Sequence, residues 1–198
     1  MSPFTHLVGS WLIATVTTDN RRDRMLVTFA GVLPDIDGLG IVVDVARSAY
    51  SGEENTFYYY QHYHHYLSHG WPAAIVATLL LNCFARRHLR TAVLCFLVFH
   101  LHLLCDLIGS RGPDPGDIWP IAYSEPLFRH PVFNWNGQWR LDGWQNQIIF
   151  VALFLWELWL AAGRGYSVVE IFNRKADAVF VAVLQRWRAR FMGKRFSL

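Results

Sequence analysis

Lysine is almost missing from this chain. Lys175 and Lys194 are the only two, and charged residues of both signs make up just 17% of the 198 residues, where about a quarter is usual for a soluble domain. The net charge of +3 is small and scattered, mostly on arginine, which excludes nucleic acid as a main partner because backbone binding needs a dense basic face. Cysteine is scarce too. Cys83, Cys95 and Cys105 all lie in apolar runs and no two have C-x-x-C spacing, so a disulfide framework and a zinc knuckle are both excluded and buried free thiols are expected. The N-terminus, Met1-Ser2-Pro3-Phe4-Thr5-His6, lacks the basic region of a cleavable signal peptide. Any membrane segment must then be inserted by the chain's own helices. Internal repeats and low-complexity tracts are absent.

Apolar and aromatic residues fill the place of the missing charge: 53% of the chain is hydrophobic and nine residues are tryptophan. Five apolar stretches stand out, at about residues 7–18, 25–46, 71–85, 91–108 and 148–162. A bilayer span needs about 20 apolar residues. The fourth stretch reaches the lower end of that range, whereas Pro34-Asp35-Ile36-Asp37-Gly38 interrupts the second and Trp156-Glu157 the fifth. Arginines follow the first stretch (Arg21, Arg22, Arg24), link the third and fourth (Arg86, Arg87, Arg90) and close the fifth (Arg164). One alternating path puts all three places on the cytoplasmic side. The expected fold is an all-α, membrane-embedded bundle of about four to five apolar helices, occupying residues 1–166. A basic amphipathic helix, residues 167–198, follows it: Ser167 and Glu170 have capping-box spacing, and Val168, Phe172, Val179, Val183, Trp187 and Phe191 recur at helical intervals. Such a helix suits an interfacial anchor on anionic lipid. Between residues 109 and 147 lies a polar, Trp-rich loop with turn signals at Asn136-Gly137 and Asp142-Gly143. A short hairpin is expected over 133–139, and a loop this long is expected to be functional, as a lid or a headgroup platform.

Candidate ligands gather in four places, each at a helix end or interruption. His6 opens the first apolar stretch. Asp35 and Asp37 sit in the broken second one, where two carboxylates are expensive to bury unless a positive group neutralises them. Four histidines fall within eight residues at His62, His64, His65 and His69, and neutral imidazole is a versatile metal ligand. If that segment is helical, His65 and His69 share a face; if it is a loop, His64 serves as well. His102 and Asp106 are four apart in the most apolar stretch and share a helix face, with His100 pointing elsewhere. In the alternating path all four places fall in the outer half of the bundle.

Taken in order, His6, Gly31-Val32-Leu33-Pro34-Asp35-Ile36-Asp37, His64 to His69, His102 to Asp106 and Trp119-Pro120 resemble the YdjM-type inner-membrane metal-dependent hydrolases, over about the first 125 residues. The third element departs from the family's His-Arg-Gly-x-Thr-His: His65 replaces the arginine, Tyr66 the glycine and Ser68 the threonine. The resemblance implies an inner-membrane, multi-pass protein whose His64 and His69 are ligands, with His65 or Arg111 standing in for the arginine on a substrate phosphate. A more distant similarity to zinc-dependent phospholipase C enzymes implies a phosphoester substrate. His6, His64, His69, His102, Asp35, Asp37 and Asp106 exceed the four donors of a tetrahedral zinc. A divalent metal is therefore expected, zinc first and Mn or Fe next, with two ions as an option. Asp37 or Asp106 would double as catalytic base, and His65, Arg111 and Trp119 would line the substrate site. The expected partners are membrane lipids and a lipid or small-molecule phosphoester, reached from the extracytoplasmic side. A metal-ion transporter and a structural or regulatory membrane protein are the rival readings.

Overall fold

The computed structural model describes residues 1–52, 57–64 and 66–191. Eight α-helices appear among them: α1 (Pro3–Thr17), α2 (Arg21–Ala30), α3 (Gly40–Ser51), α4 (Tyr58–Tyr63), α5 (Trp71–Asn82), α6 (His88–Gly109), α7 (Trp144–Arg164) and α8 (Arg174–Phe191). Two 3₁₀ segments join them, Leu33–Leu39 and Val168–Ile171. The fold is all-α, as expected. Among the described residues, only α6 and α7, of 22 and 21 residues, are each long and apolar enough to cross a membrane. A third span results if α2 and the stretch Leu33–Ser51 count as one broken span, bent by 50°. α5 is apolar but shorter. The chain divides into two compact units, Met1–Asn146 and Gln147–Leu198.

Local chemistry sets the helix ends. Ser2 caps α1 by accepting from Thr5 N at 3.3 Å, with Pro3 in the first turn, where its missing N–H costs nothing. Asn20 caps α2, accepting from Arg22 N at 2.9 Å and Asp23 N at 3.4 Å. Buried Asp23 then accepts from Arg86 N at 2.8 Å, which ties the start of α2 to the link between α5 and α6.

The core of the first unit is built from small side chains that let helices approach closely. Ala14 of α1, Val27 and Ala30 of α2, and Cys95 and Val98 of α6 form one cluster. Ala74 of α5 packs with Phe99 and Leu103 of α6 in another. Gly31 shows how tight the fit is: a Cβ there would run into the Ser10 side chain.

Three expectations need correction, and one open alternative is decided. All three cysteines are free, but Cys83, the residue that ends α5, is exposed; Cys95 is buried and Cys105 half-buried. No hairpin forms over 133–139; that segment makes turns, and the described residues hold only two isolated bridges, Arg111 with Arg140 and Ile121 with Phe133. The histidine-rich segment takes the loop alternative: α4 ends at Tyr63, His64 is extended, and turns and bends over residues 66–70 lead to α5. The C-terminal segment is two elements rather than one helix. Ser167 does cap the first, accepting from Val169 N at 3.1 Å, but Asn173 starts α8 afresh by accepting from Lys175 N and Ala176 N at 2.9 and 3.1 Å.

In the second unit, Ser167 donates from its N and Oγ to Asp177 Oδ1 at 2.9 and 2.5 Å. Glu157, fully buried on α7, accepts from Val168 N at 3.1 Å. α8 buries Asp177, Val181 and Leu184, so the predicted stripe of Phe172, Val179, Trp187 and Phe191 lies on the exposed side. Lys194 and Arg195 fall outside the described residues.

Candidate metal centre

The polar interruptions of the apolar sequence meet at one point in the first unit. The 3₁₀ segment Leu33–Leu39 brings Asp35 and Asp37, the irregular stretch before α5 brings His64 and His69, and the last turns of α6 bring His102 and Asp106. One donor atom from each of Asp35, His69, His102 and Asp106 lies within 4.8 Å of the others. A second group, Asp37, His64 and His69, meets the same criterion and shares His69.

Hydrogen bonds separate the roles of these groups. Asp37 is saturated: its Oδ1 faces His64 Nδ1 at 2.9 Å, and its Oδ2 accepts from Ser68 N at 3.1 Å and faces His69 Nδ1 at 3.0 Å. The bond from Asp37 to Nδ1 leaves His69 Nε2 directed to Asp106 Oδ2, 3.4 Å away. His102 is fixed by the backbone. Its Nδ1 lies 2.8 Å from Gly31 O, and a carbonyl only accepts, so Nδ1 carries a proton and Nε2 is the atom turned to the carboxylates. That atom lies 3.0 Å from Asp106 Oδ2 and 3.7 Å from Asp35 Oδ1, and Asp35 Oδ2 is buried without a donor. An imidazole that donates Nδ1–H to a backbone carbonyl and turns Nε2 toward carboxylates has the orientation of a metal ligand. Two imidazole nitrogens and two carboxylates are a donor set for a divalent ion such as zinc. These residues fit a metal.

Carboxylates set the field of the cage. Burial favours neutral His69, but the contacts and fields of Asp106 and Asp37 outweigh it and push its pKa up to about 9. The α-amino group of Met1 also pairs with Asp106 Oδ1 and donates to Ser110 Oγ at 3.1 Å. His6 approaches the same carboxylate from the other side, its Nε2 3.0 Å from Oδ1, and its ring stacks on His102 with centroids 3.7 Å apart. His6 thus braces Asp106 and His102 and belongs to neither donor group.

Two devices that sequence reasoning missed hold the centre. The first fixes the end of α6, where four carbonyls have no partner within the helix. The Gln138 side chain donates to Asp106 O and Leu107 O at 3.2 and 3.1 Å, Trp139 N to Ile108 O at 3.0 Å, and Asn146 Nδ2 to Gly109 O at 2.8 Å. The returning loop and the first turn of α7 therefore bring a donor to each of the four and stiffen the turn that carries Asp106. Gln138 also bonds Trp119 on both its N and its O, at 3.0 Å each. The second device is Asp44 of α3. Its carboxylate accepts from Tyr59 N and Tyr60 N at 3.0 and 2.8 Å, anchoring the short α4. Gly40 permits this approach, since a Cβ there would lie 2.8 Å from the Tyr59 backbone.

α4 in turn sets Tyr60 beside the carboxylates. Its ring stacks on His64 at 4.7 Å and lies 5.9 Å from Trp119. Burial, reinforced by the fields of Asp35, Asp106 and Asp37, pushes the phenol up to about 12. Tyr60 therefore keeps its O–H as a donor at neutral pH. Neither residue carries a sequence signal for its role: Asp44 reads as one more polar residue, and Tyr60 as one of several tyrosines. Trp119, expected at the substrate site, stands at the rim, 5.6 Å from the His64 ring, with its Nε1 donating to Asp117 at 3.0 Å. Arg111 is engaged in the loop, donating to Asp114 O at 3.4 Å. His65 lies outside the described residues. His100 faces away, as expected, and meets Phe96 O and Tyr123.

The class that fold and site define is a helical membrane protein with a buried His/Asp cage suited to a divalent metal. The family model described as YdjM inner membrane protein matches residues 1–175, and the chain belongs to that family. The match runs beyond the first 125 residues to take in the Trp-rich loop and α7. No curated protein and no solved structure matches the chain.

Proposed function

We propose that this chain is a metal-dependent hydrolase of the inner membrane that cleaves a phosphoester, a lipid headgroup or lipid-linked phosphate. One observation carries the reading: His102 Nε2 is aimed between the Asp35 and Asp106 carboxylates and held there by the contact of Nδ1 with Gly31 O. Asp35, His69, His102 and Asp106 would hold the ion, zinc first and Mn or Fe next. When bound, such an ion supplies Lewis-acid polarisation of a phosphoryl oxygen and a more acidic water.

The chain's own residues do the rest. Asp37, saturated by three donors, orients His69 and keeps its Nε2 on the cage, an outer-shell role. The saturation of Asp37 favours a single ion over two. His6 and the capped end of α6 hold Asp106 in place. Tyr60 supplies a neutral hydroxyl to a phosphate oxygen or leaving group, and Trp119 with His64 forms the wall on that side. The metal end of α6 is opposite the basic link at Arg86–Arg90, and the positive-inside rule therefore supports a centre on the extracytoplasmic side. Clustering of the donors at one end of α6 favours hydrolysis over an ion pathway, which would string ligands through the bilayer depth.

The test is metal content of protein purified without chelator, followed by turnover of soluble phosphodiesters and of phospholipid vesicles. About one ion per chain and hydrolysis restored by that ion after chelation support the proposal. A folded, metal-free preparation defeats it. Metal-loaded protein inert to every phosphoester defeats the hydrolase while leaving the metal site standing.

A further inference from the structure

The Trp-rich loop does not present a polar back to water, as a lid over an aqueous site would. From Pro126 to Gly137 every residue is exposed, and the exposed side chains include Leu127 (58%), Phe128 (62%), Phe133 (45%) and Trp135 (44%). The residues that point inward are elsewhere in the loop: Ile121, Ala122, Ser124 and Gln138, all buried. The projection is nonetheless well fixed. Ile121 and Phe133 exchange backbone hydrogen bonds at 2.8 and 2.9 Å, Leu127 N and Phe128 N both donate to Ser124 O at 3.0 Å, and Gln138 N donates to Trp135 O at 3.1 Å. An ordered apolar projection on that scale marks an interaction surface.

Its position identifies the occupant. The root of the loop is bonded to the last turn of α6 through Gln138 and Trp139, and α6 is one of the two helices suited to crossing the bilayer. A projection rooted at the end of a span emerges in the interfacial layer, where tryptophan and other aromatics concentrate. The segment 126–137 contains no aspartate or glutamate, and its one permanent charge is Arg129, which suits anionic headgroups.

We propose that segment 126–137 is a membrane-seating platform whose Leu127, Phe128, Phe133 and Trp135 side chains insert into the interface of the bilayer that α6 crosses. The occupant is lipid, not a second copy of the chain and not the metal centre. Seated this way, the platform holds the mouth of the centre at headgroup level and independently of which reaction occurs there.

A nitroxide placed at Phe128→Cys, in a Cys83→Ala, Cys105→Ala background, tests the platform in nanodiscs of phosphatidylethanolamine and phosphatidylglycerol. Asp114→Cys, exposed on the proximal part of the same loop, is the reference. The ratio of collision with oxygen to collision with chromium oxalate is expected to be several-fold higher at 128 than at 114. A second label at Leu127→Cys repeats the reading should the first perturb the turn. Equal ratios at both sites would mean that the segment is in water, which overturns the proposal. Protection from both reagents would mean that protein covers it, by lid closure or a second copy, and overturns it equally.

Discussion

Histidines and aspartates here divide into those that hold the ion and those that hold the holders, and substitutions separate the two sets. His102→Ala and Asp35→Ala each remove a donor from the proposed cage, and both are expected to abolish stoichiometric metal on elemental analysis of protein that still folds. Asp37→Asn removes only a carboxylate that orients His69, and loss of such an outer partner typically costs about 10–100-fold in affinity. A competition titration with a chromophoric chelator should therefore find Asp37→Asn binding weakly and His102→Ala not at all. Complete loss in Asp37→Asn would make Asp37 a ligand and reopen the two-ion arrangement. At this scale much of the site was legible in the sequence. Carboxylates in apolar runs are costly, so Asp35, Asp37 and Asp106 announced themselves, and the spacing of His102 and Asp106 gave their shared face. What the sequence left open was rank: nothing in spacing shows that Asp37 accepts three hydrogen bonds or that His6 braces Asp106.

Elements position these groups through contacts between segments far apart in sequence, where periodicity carries no information. Gln138 is the example: it sits 32 residues from Asp106 in a loop where a hairpin was expected, yet its amide caps the end of α6. Gln138→Ala leaves Asp106 O and Leu107 O without their donor, and a buried acceptor left unsatisfied costs about 1–3 kcal/mol. The expected outcome is a lower unfolding midpoint together with weaker metal binding; loss of stability with unchanged affinity would show that the cap does not reach the centre. Gly31 makes the same point from inside the helical core. Gly31→Ala drives a methyl into Ser10, and overpacking of this kind typically costs about 1–3 kcal/mol. The double variant Gly31→Ala, Ser10→Gly should recover most of that loss in a denaturation series. The broken second stretch was readable from Pro34 and Gly38. The restart at Asn173 was hidden, because an apolar stripe at helical intervals runs straight across it.

Across the whole molecule the centre acts as a clasp. Its four proposed ligands come from three places in the chain: the 3₁₀ segment, the stretch before α5, and α6. All lie in the unit Met1–Asn146. An ion that binds the folded state alone stabilises it by about 2.7 kcal/mol at 100 times its dissociation constant, which for a chain of this size corresponds to roughly 5–10 °C in unfolding midpoint. Chelation should therefore lower the midpoint by that order, and re-addition of zinc should restore it. The location of the effect is the sharper test. Half-buried Asp35 converges with buried Asp37 and Asp106, and their mutual repulsion without a cation falls on the first unit's helices, α6 above all. Hydrogen exchange after chelation should accelerate at the end of α6 and around residues 66–70, while amides of Val168–Ile171 and α8, held by Ser167, Glu157 and Asp177, keep their protection. Uniform acceleration in both units would mean that the ion governs the stability of the entire chain. No change in either would mean that His69 and the Met1 amino group already neutralise the carboxylates, and that the cage needs no metal to stand.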